Sequence, residues 1–100
     1  MKVMYINNPG EVEIREEDIP VRKPGEALLK LLYGGICGSD LGSYKGTFAY
    51  FDYPRIPGHE FSGQIVAVGD DVDESLLGRR TCVFPMLPCF ECPSCKKQQY

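Results

Sequence analysis

Prolines and glycines interrupt this chain at short intervals, and this punctuation constrains the fold more than any other feature. Eleven glycines and eight prolines are distributed over 100 residues. The runs between them are short and rich in β-branched or aromatic residues, as in residues 2–6, 11–16, 63–69 and 79–84. The pattern predicts a mainly β domain, either a Greek-key sandwich or a partly open barrel.

Two further segments are assigned from their flanking residues. The leucine-rich run at residues 26–33 has a composition that suits a helix or a strand. Because it lies between Pro24-Gly25 and Gly34-Gly35, we predict a strand. The only helix that the sequence predicts is short, at about residues 39–44, with Ser39 or Asp40 as its N-cap.

Charge and hydropathy argue against several classes of function. The formal net charge is −3 and no basic run is present, so nucleic acid is not expected as a partner. No stretch approaches the ~20 consecutive apolar residues that cross a membrane. The first residues lack the apolar region of a signal peptide, and we predict a cytoplasmic protein.

The strongest local motif is Cys89-x-x-Cys92-x-x-Cys95. Five cysteines are an odd number for a disulfide framework, and three of them within seven residues point to metal binding. Zinc held by thiolates alone takes four ligands, so this cluster needs one more.

An iron–sulfur cluster is the alternative for the same motif. Bacterial ferredoxins continue the pattern with a fourth cysteine, whereas this sequence has Gln99 at that place. Cys82 or Cys37 could supply a remote fourth ligand, and the alternative therefore stays open.

A second candidate site combines Cys37, His59 and Glu60. Taken singly, His59 fits a structural hydrogen-bonding role and Cys37 fits a small buried apolar residue. Together the three form a mixed sulfur, nitrogen and oxygen set, and three protein ligands with one open position are typical of catalytic zinc. One thiolate and one carboxylate would neutralise the dication, and a neutral site of this kind promotes loss of a proton from a bound alcohol.

Two neighbours of Cys37 have possible roles in the same site. Asp40 could orient His59 from behind, and Ser39 could pass the alcohol proton towards solvent. Helix capping is the alternative for both residues.

Three stretches of this sequence carry a family resemblance: GICGSDL at 35–41, GHEFSGQIVAVGDDV at 58–72 and PCFECPSC at 88–95. They resemble the N-terminal part of the zinc-dependent medium-chain alcohol and polyol dehydrogenases, and look most similar to sorbitol and hexitol-phosphate dehydrogenases. The resemblance implies that residues 1–100 are part of a GroES-like catalytic domain that is truncated within a structural-zinc lobe. A fourth cysteine beyond Tyr100 and a downstream Rossmann domain for NAD(P) are then expected.

The resemblance also implies residue roles. Two zinc ions per full-length chain are expected, one catalytic and one structural. Ser39 would contact the substrate alcohol and Asp40 would support the catalytic metal. The implied ligands are Cys37, His59 and Glu60 for the catalytic zinc, and Cys89, Cys92 and Cys95 for the structural zinc. In other members a cysteine far downstream takes the place of Glu60, which would then lie just behind the zinc.

The implied activity is hydride transfer between a secondary alcohol or polyol, including phosphorylated sugar alcohols, and NAD(P). A homodimer or homotetramer is expected for the full-length enzyme. Many members have a relay histidine shortly after the Cys-Gly-Ser-Asp motif, but this chain reads Gly42-Ser43-Tyr44 there, so the proton route is unassigned. The alternatives are a GroES-like zinc-stabilised binding or assembly module without catalysis and an iron–sulfur electron carrier.

Overall fold

Strands predominate, as the sequence predicts. The computed structural model describes residues 1–99, so Tyr100 of the predicted domain lies outside the described residues. A 3₁₀ turn occupies Glu74–Leu76. The strands and α-helices, in chain order, are β1 (Lys2–Asn8), β2 (Glu11–Glu16), β3 (Ala27–Gly34), α1 (Gly38–Lys45), β4 (Phe61–Val68), β5 (Arg80–Cys82) and α2 (Pro93–Lys96).

The strands form two antiparallel sheets. One is the β1–β2 hairpin, and the other has the order β3-β4-β5. The hairpin turns at Gly10, whose φ of 78° lies in the left-handed region that glycine adopts without strain. In the second sheet Ala27 faces Val68 and Gly34 faces Phe61, which confirms the leucine-rich segment as a strand.

The buried apolar core draws on both sheets. Val3 and Ile6 of β1 are 8% and 3% exposed, and Ile65 and Val68 of β4 are 8% and 9% exposed. An open groove of about 670 Å³ lies beside this core. Its lining is largely apolar and comes from β1, β3, α1 and the segment before β4, including Met4, Leu31, Ile36, Leu41 and Ile56.

The structure corrects the predicted helices. Helix α1 begins at Gly38 with Cys37 as its N-cap, so the prediction of Ser39 or Asp40 at that position is wrong. Asp40 instead occupies the third helical position, and its carboxylate accepts a hydrogen bond from the Cys37 backbone N–H at 2.9 Å. A carboxylate at this position satisfies an amide that the helix leaves unpaired.

Other element boundaries also differ from the sequence prediction. Strand β5 is shorter than the predicted run 79–84, because it pairs with β4 only from Ser62 to Gln64. Helix α2 was not predicted, and it begins at Pro93, whose missing N–H and fixed φ suit a first helical position. Within residues 1–99, each helix falls short of the length and apolarity that a membrane crossing requires.

Gly69 provides a test of the packing at the end of β4. A Cβ there would lie 2.7 Å from the Lys23 carbonyl oxygen and 3.3 Å from that of Glu26. Because both obstacles are backbone atoms, we expect Gly69→Ala to lower the free energy of unfolding by about 1–3 kcal/mol. Urea denaturation measures this.

Gly34→Ala is the matched control, because a Cβ at Gly34 meets no described atom within 4 Å. We expect its free energy of unfolding to stay within about 0.5 kcal/mol of the wild-type value. Equal effects of the two substitutions would contradict the close approach at Gly69.

Candidate metal centre

The β3–β4 ladder brings the two halves of the candidate catalytic site together. Its last strand pair joins Gly34 to Phe61, and the Gly35 backbone N–H then donates to the Glu60 carbonyl oxygen at 2.7 Å. The chain that leaves β3 therefore runs beside the chain that enters β4. Cys37 and His59 lie just beyond this last hydrogen bond, on neighbouring segments.

Gly35 allows this close approach because it has no side chain. A Cβ at Gly35 would lie 3.0 Å from a Glu60 carboxylate oxygen and 3.3 Å from the Glu60 Cβ. Any larger residue would push Glu60 away from β3. The Gly34-Gly35 pair is visible in the sequence, but the contact of Gly35 with Glu60 is not predictable from it.

The structure brings Cys37, His59 and Glu60 into one cluster. One ligand atom from each residue lies within 4.8 Å of the others. Cys37 and His59 are half-buried, while Glu60 is exposed. Zinc binds thiolate, imidazole and carboxylate donors at about 2.0–2.3 Å, and it accepts this donor set with one position left for another ligand. The cluster therefore fits zinc in donor type and spacing.

Asp40 and Ser39 approach opposite nitrogens of the His59 ring. Asp40 Oδ1 lies 3.6 Å from Nδ1, and Ser39 Oγ lies 3.4 Å from Nε2. The Asp40 side chain is only 15% exposed, so solvent screens its charge weakly. A carboxylate beside Nδ1 favours the tautomer with its proton on that nitrogen, which leaves the Nε2 lone pair for a metal.

The electrostatics of the site favour the thiolate of Cys37. Two hydrogen bonds from Ser39 lower the pKa of the Cys37 thiol; the larger effect comes from its hydroxyl and the smaller from its backbone N–H. A hydrogen bond from His59 lowers this pKa further. The hydrogen bond with Cys37 raises the pKa of His59, and the Asp40 carboxylate acts in the same direction. The lowered pKa of Cys37 favours the thiolate, which is the metal-binding form of cysteine, whereas the raised pKa of His59 means that a cation must displace a proton from the imidazolium at lower pH.

The second cysteine cluster also converges. Cys89, Cys92 and Cys95 place their sulfur atoms within 4.8 Å of one another, and the Cys89 and Cys95 sulfurs are 3.7 Å apart. Backbone amides stabilise the sulfurs: the Cys92 N–H donates to Cys89 Sγ and the Cys95 N–H donates to Cys92 Sγ, each at 3.4 Å. The first of these bonds is the main reason that the pKa of Cys89 falls to about 7.

The other two cysteines lie apart from this cluster. Within residues 1–99, Cys82 is exposed on β5 and belongs to neither metal-type group, while Cys37 belongs to the histidine group. Neither residue is placed as the remote fourth ligand that the iron–sulfur alternative requires. The three thiolates fit zinc as an incomplete set that takes a further ligand from outside it.

Comparisons with known proteins give a consistent picture. A family described as the alcohol dehydrogenase GroES-like domain matches residues 23–100. Galactitol 1-phosphate 5-dehydrogenase of Escherichia coli K12 is 41% identical over 101 residues, covering 100% of this chain and 29% of that protein. Sorbitol dehydrogenase of Bacillus subtilis 168 is 38% identical over 103 residues, covering 100% of this chain and 29% of that protein.

The fold is likewise similar to that of a solved structure. A short chain alcohol dehydrogenase (rspB) from E. coli CFT073, complexed with NADH, superimposes with a TM-score of 0.84 and 40% sequence identity. The match covers 99% of this chain and 28% of the other. The chain thus spans less than a third of the length of the relatives it matches.

Glu60 is the least buried member of its cluster, and its role as a ligand can be tested by metal affinity. We expect Glu60→Gln to weaken zinc binding at this site at least about 10-fold, because a neutral amide replaces an anionic donor. Competition with a chromophoric chelator measures the affinity. Glu74→Gln, which makes the same chemical change at a residue outside both clusters, should leave it unaltered. Unchanged affinity in Glu60→Gln would make Glu60 a neighbour of the metal.

Cys92 tests the structural role of the second cluster. We expect Cys92→Ser to remove one equivalent of zinc and to lower the free energy of unfolding by several kcal/mol, since metal binding contributes directly to folding. Metal analysis and urea denaturation measure the two effects.

Cys82→Ser is the matched control, because Cys82 is exposed and outside both clusters. It should retain the wild-type zinc content and stability. A Cys92→Ser protein with full zinc content would contradict the assignment of this cluster.

Proposed function

Because the chain belongs to the alcohol dehydrogenase GroES-like domain family, we propose that it is the metal- and substrate-binding part of a zinc-dependent oxidoreductase. The reaction is hydride transfer between a secondary alcohol or polyol and NAD(P). The observation that carries this proposal is the convergence of Cys37, His59 and Glu60, with Asp40 behind the imidazole and Ser39 in front of it.

We assign a separate role in this reaction to each residue of the site. Cys37, His59 and Glu60 would hold the zinc, which as a Lewis acid polarises the alcohol oxygen and lowers the pKa of the alcohol. Asp40 orients His59 through Nδ1. Ser39 has a hydroxyl beside Nε2, where it can accept the proton of the alcohol and pass it to solvent.

Charge balance supports an alcohol as the substrate. One thiolate, one carboxylate and a neutral imidazole bring no net charge when combined with a divalent cation. A neutral site binds an uncharged alcohol without an opposing charge and stabilises the negative charge that develops on the alcohol oxygen as its proton leaves. The open coordination position distinguishes this centre from a purely structural zinc site, in which protein ligands fill all four positions.

The whole protein is expected to contain more than these 100 residues describe. No Gly-x-Gly-x-x-Gly pattern occurs in the sequence, so NAD(P) would be bound by a Rossmann domain outside it. Cys89, Cys92 and Cys95 would hold a second, structural zinc with a further ligand from outside this sequence.

The relatives suggest the substrate class and the setting of the enzyme. Those named above include dehydrogenases of galactitol 1-phosphate and sorbitol, so we propose a sugar alcohol, free or phosphorylated. We further propose a homodimer or homotetramer. Exposed zinc-binding thiols need a reducing compartment, which supports a cytoplasmic location.

The central test is metal content and turnover of the full-length protein. We expect two zinc equivalents per chain, and NAD(P) reduction with a sugar alcohol. Cys37→Ala and His59→Ala should each lower kcat at least about 1,000-fold, because each removes a metal ligand. Both variants should retain the structural zinc and the wild-type fold by circular dichroism.

Cys82→Ala is the control for loss of a cysteine, and it should keep wild-type turnover. Retained activity in either ligand variant would overturn the assignment of the catalytic metal. Iron with acid-labile sulfide and absorbance near about 400 nm would favour the electron carrier. Zinc without turnover on any alcohol would favour a binding or assembly module.

A further inference from the structure

We propose that Tyr53 and Ser43 are positioning residues that hold the Ser39 hydroxyl against His59. The inference rests on the proposed function, in which Ser39 transfers the alcohol proton. Ser43 is a polar residue that is only 2% exposed. A buried hydroxyl in a helix interior needs a hydrogen-bond partner, and the partner of Ser43 is the backbone carbonyl of Ser39, a residue of the candidate site.

Two hydrogen bonds connect Ser39 to the loop that precedes β4. The Ser43 hydroxyl donates to the Ser39 carbonyl oxygen at 2.9 Å, one helical turn earlier in α1. The Tyr53 hydroxyl donates to the Ser43 carbonyl oxygen. The loop is thereby fastened to helix α1 one turn after Ser39, and the Ser43 hydroxyl connects that turn to the Ser39 backbone.

Tyr53 is anchored independently of helix α1. Two residues after it, Arg55 exchanges both backbone hydrogen bonds with Ile6 of β1, at 2.9 and 3.1 Å. The Phe51 ring packs edge-on against Tyr53, with ring centroids 5.0 Å apart. Because Ile6 is 3% exposed, this anchor belongs to the core.

The same loop continues to His59. Tyr53 and His59 are therefore carried by one segment, while Ser43 and Ser39 are carried by the other. The Tyr53–Ser43 hydrogen bond fixes the distance between the two segments close to the site. This matters because the Ser39 Oγ–His59 Nε2 separation of 3.4 Å is near the upper limit for a hydrogen bond and does not hold the segments together by itself.

The test uses Tyr53→Phe in the full-length, zinc-loaded protein, since this change removes only the hydroxyl. We expect kcat to fall roughly 10-fold, in the range seen when a supporting partner of a metal site is lost. The KM should change less than about twofold, and the zinc content should not change, because the metal ligands are retained. Tyr33→Phe is the matched control: Tyr33 is 79% exposed, and within residues 1–99 no hydrogen bond is found for its hydroxyl.

A double-variant measurement separates positioning from a general structural effect. If Tyr53 acts through Ser39, then adding Tyr53→Phe to Ser39→Ala lowers kcat no further than Ser39→Ala alone. Ser43→Ala should behave in the same way, which gives a second test if Tyr53→Phe folds poorly. A full, independent loss of kcat in the Ser39→Ala background would overturn the proposal.

A crystal structure of Tyr53→Phe provides a readout that needs no turnover. We expect the Ser39 Oγ–His59 Nε2 separation to be longer than in a wild-type crystal structure with the same metal content. An unchanged separation would overturn the proposal. If the wild-type protein oxidises no alcohol, the proposed function fails, and this crystallographic comparison still decides whether Tyr53 positions Ser39.

Discussion

The antiparallel pairing of β3 with β4 is the interaction on which the candidate catalytic site depends. Its final hydrogen bond, from the Gly35 N–H to the Glu60 carbonyl oxygen, lies directly beside the proposed ligands. One ligand comes from the chain after β3 and two come from the chain before β4. Because strand pairing fixes the register of both segments, a shift of the ladder would separate Cys37 from His59.

Around this framework, the Asp40 carboxylate contacts two other residues of the site. The Asp40 carboxylate accepts from the Cys37 backbone N–H and lies beside His59 Nδ1. Asp40 therefore links the helix start, the thiol ligand and the imidazole. From the sequence, orientation of His59 and helix capping are alternative roles for Asp40. In the structure, the one Asp40 side chain makes both contacts.

The sequence allowed much of the fold to be predicted. Turn residues delimited the strands, and the GroES-like, mainly β architecture is confirmed. The N-cap of α1 was predicted wrongly because cysteine is an uncommon cap, and the preference of serine and aspartate for that position decided the assignment. Helix α2 escaped prediction because its four residues overlap a cysteine motif that reads as a metal-binding loop.

The residue types of the candidate metal ligands were predictable from the sequence, but the residues that position their neighbours were not. Cys37, His59 and Glu60 stood out because few residue types bind zinc. Ser43 and Tyr53 had no such signal, since a serine in a short helix and a tyrosine before a proline are unremarkable locally. Their contact joins a helix to the loop ten residues further along the chain, and no local sequence pattern predicts it.

The two metal-type clusters differ in how far apart their members lie along the chain. Cys89, Cys92 and Cys95 occupy seven consecutive positions, so bringing their thiols together closes only a short loop and costs little chain entropy. Cys37 and His59 meet only after β3 has paired with β4. On the proposed assignment, an unfolded chain can therefore capture an ion at the cysteine cluster before the sheets form, whereas the Cys37–His59 position exists only once folding has paired β3 with β4. If both clusters bind zinc as proposed, refolding would load the cysteine cluster first and the Cys37–His59 position second.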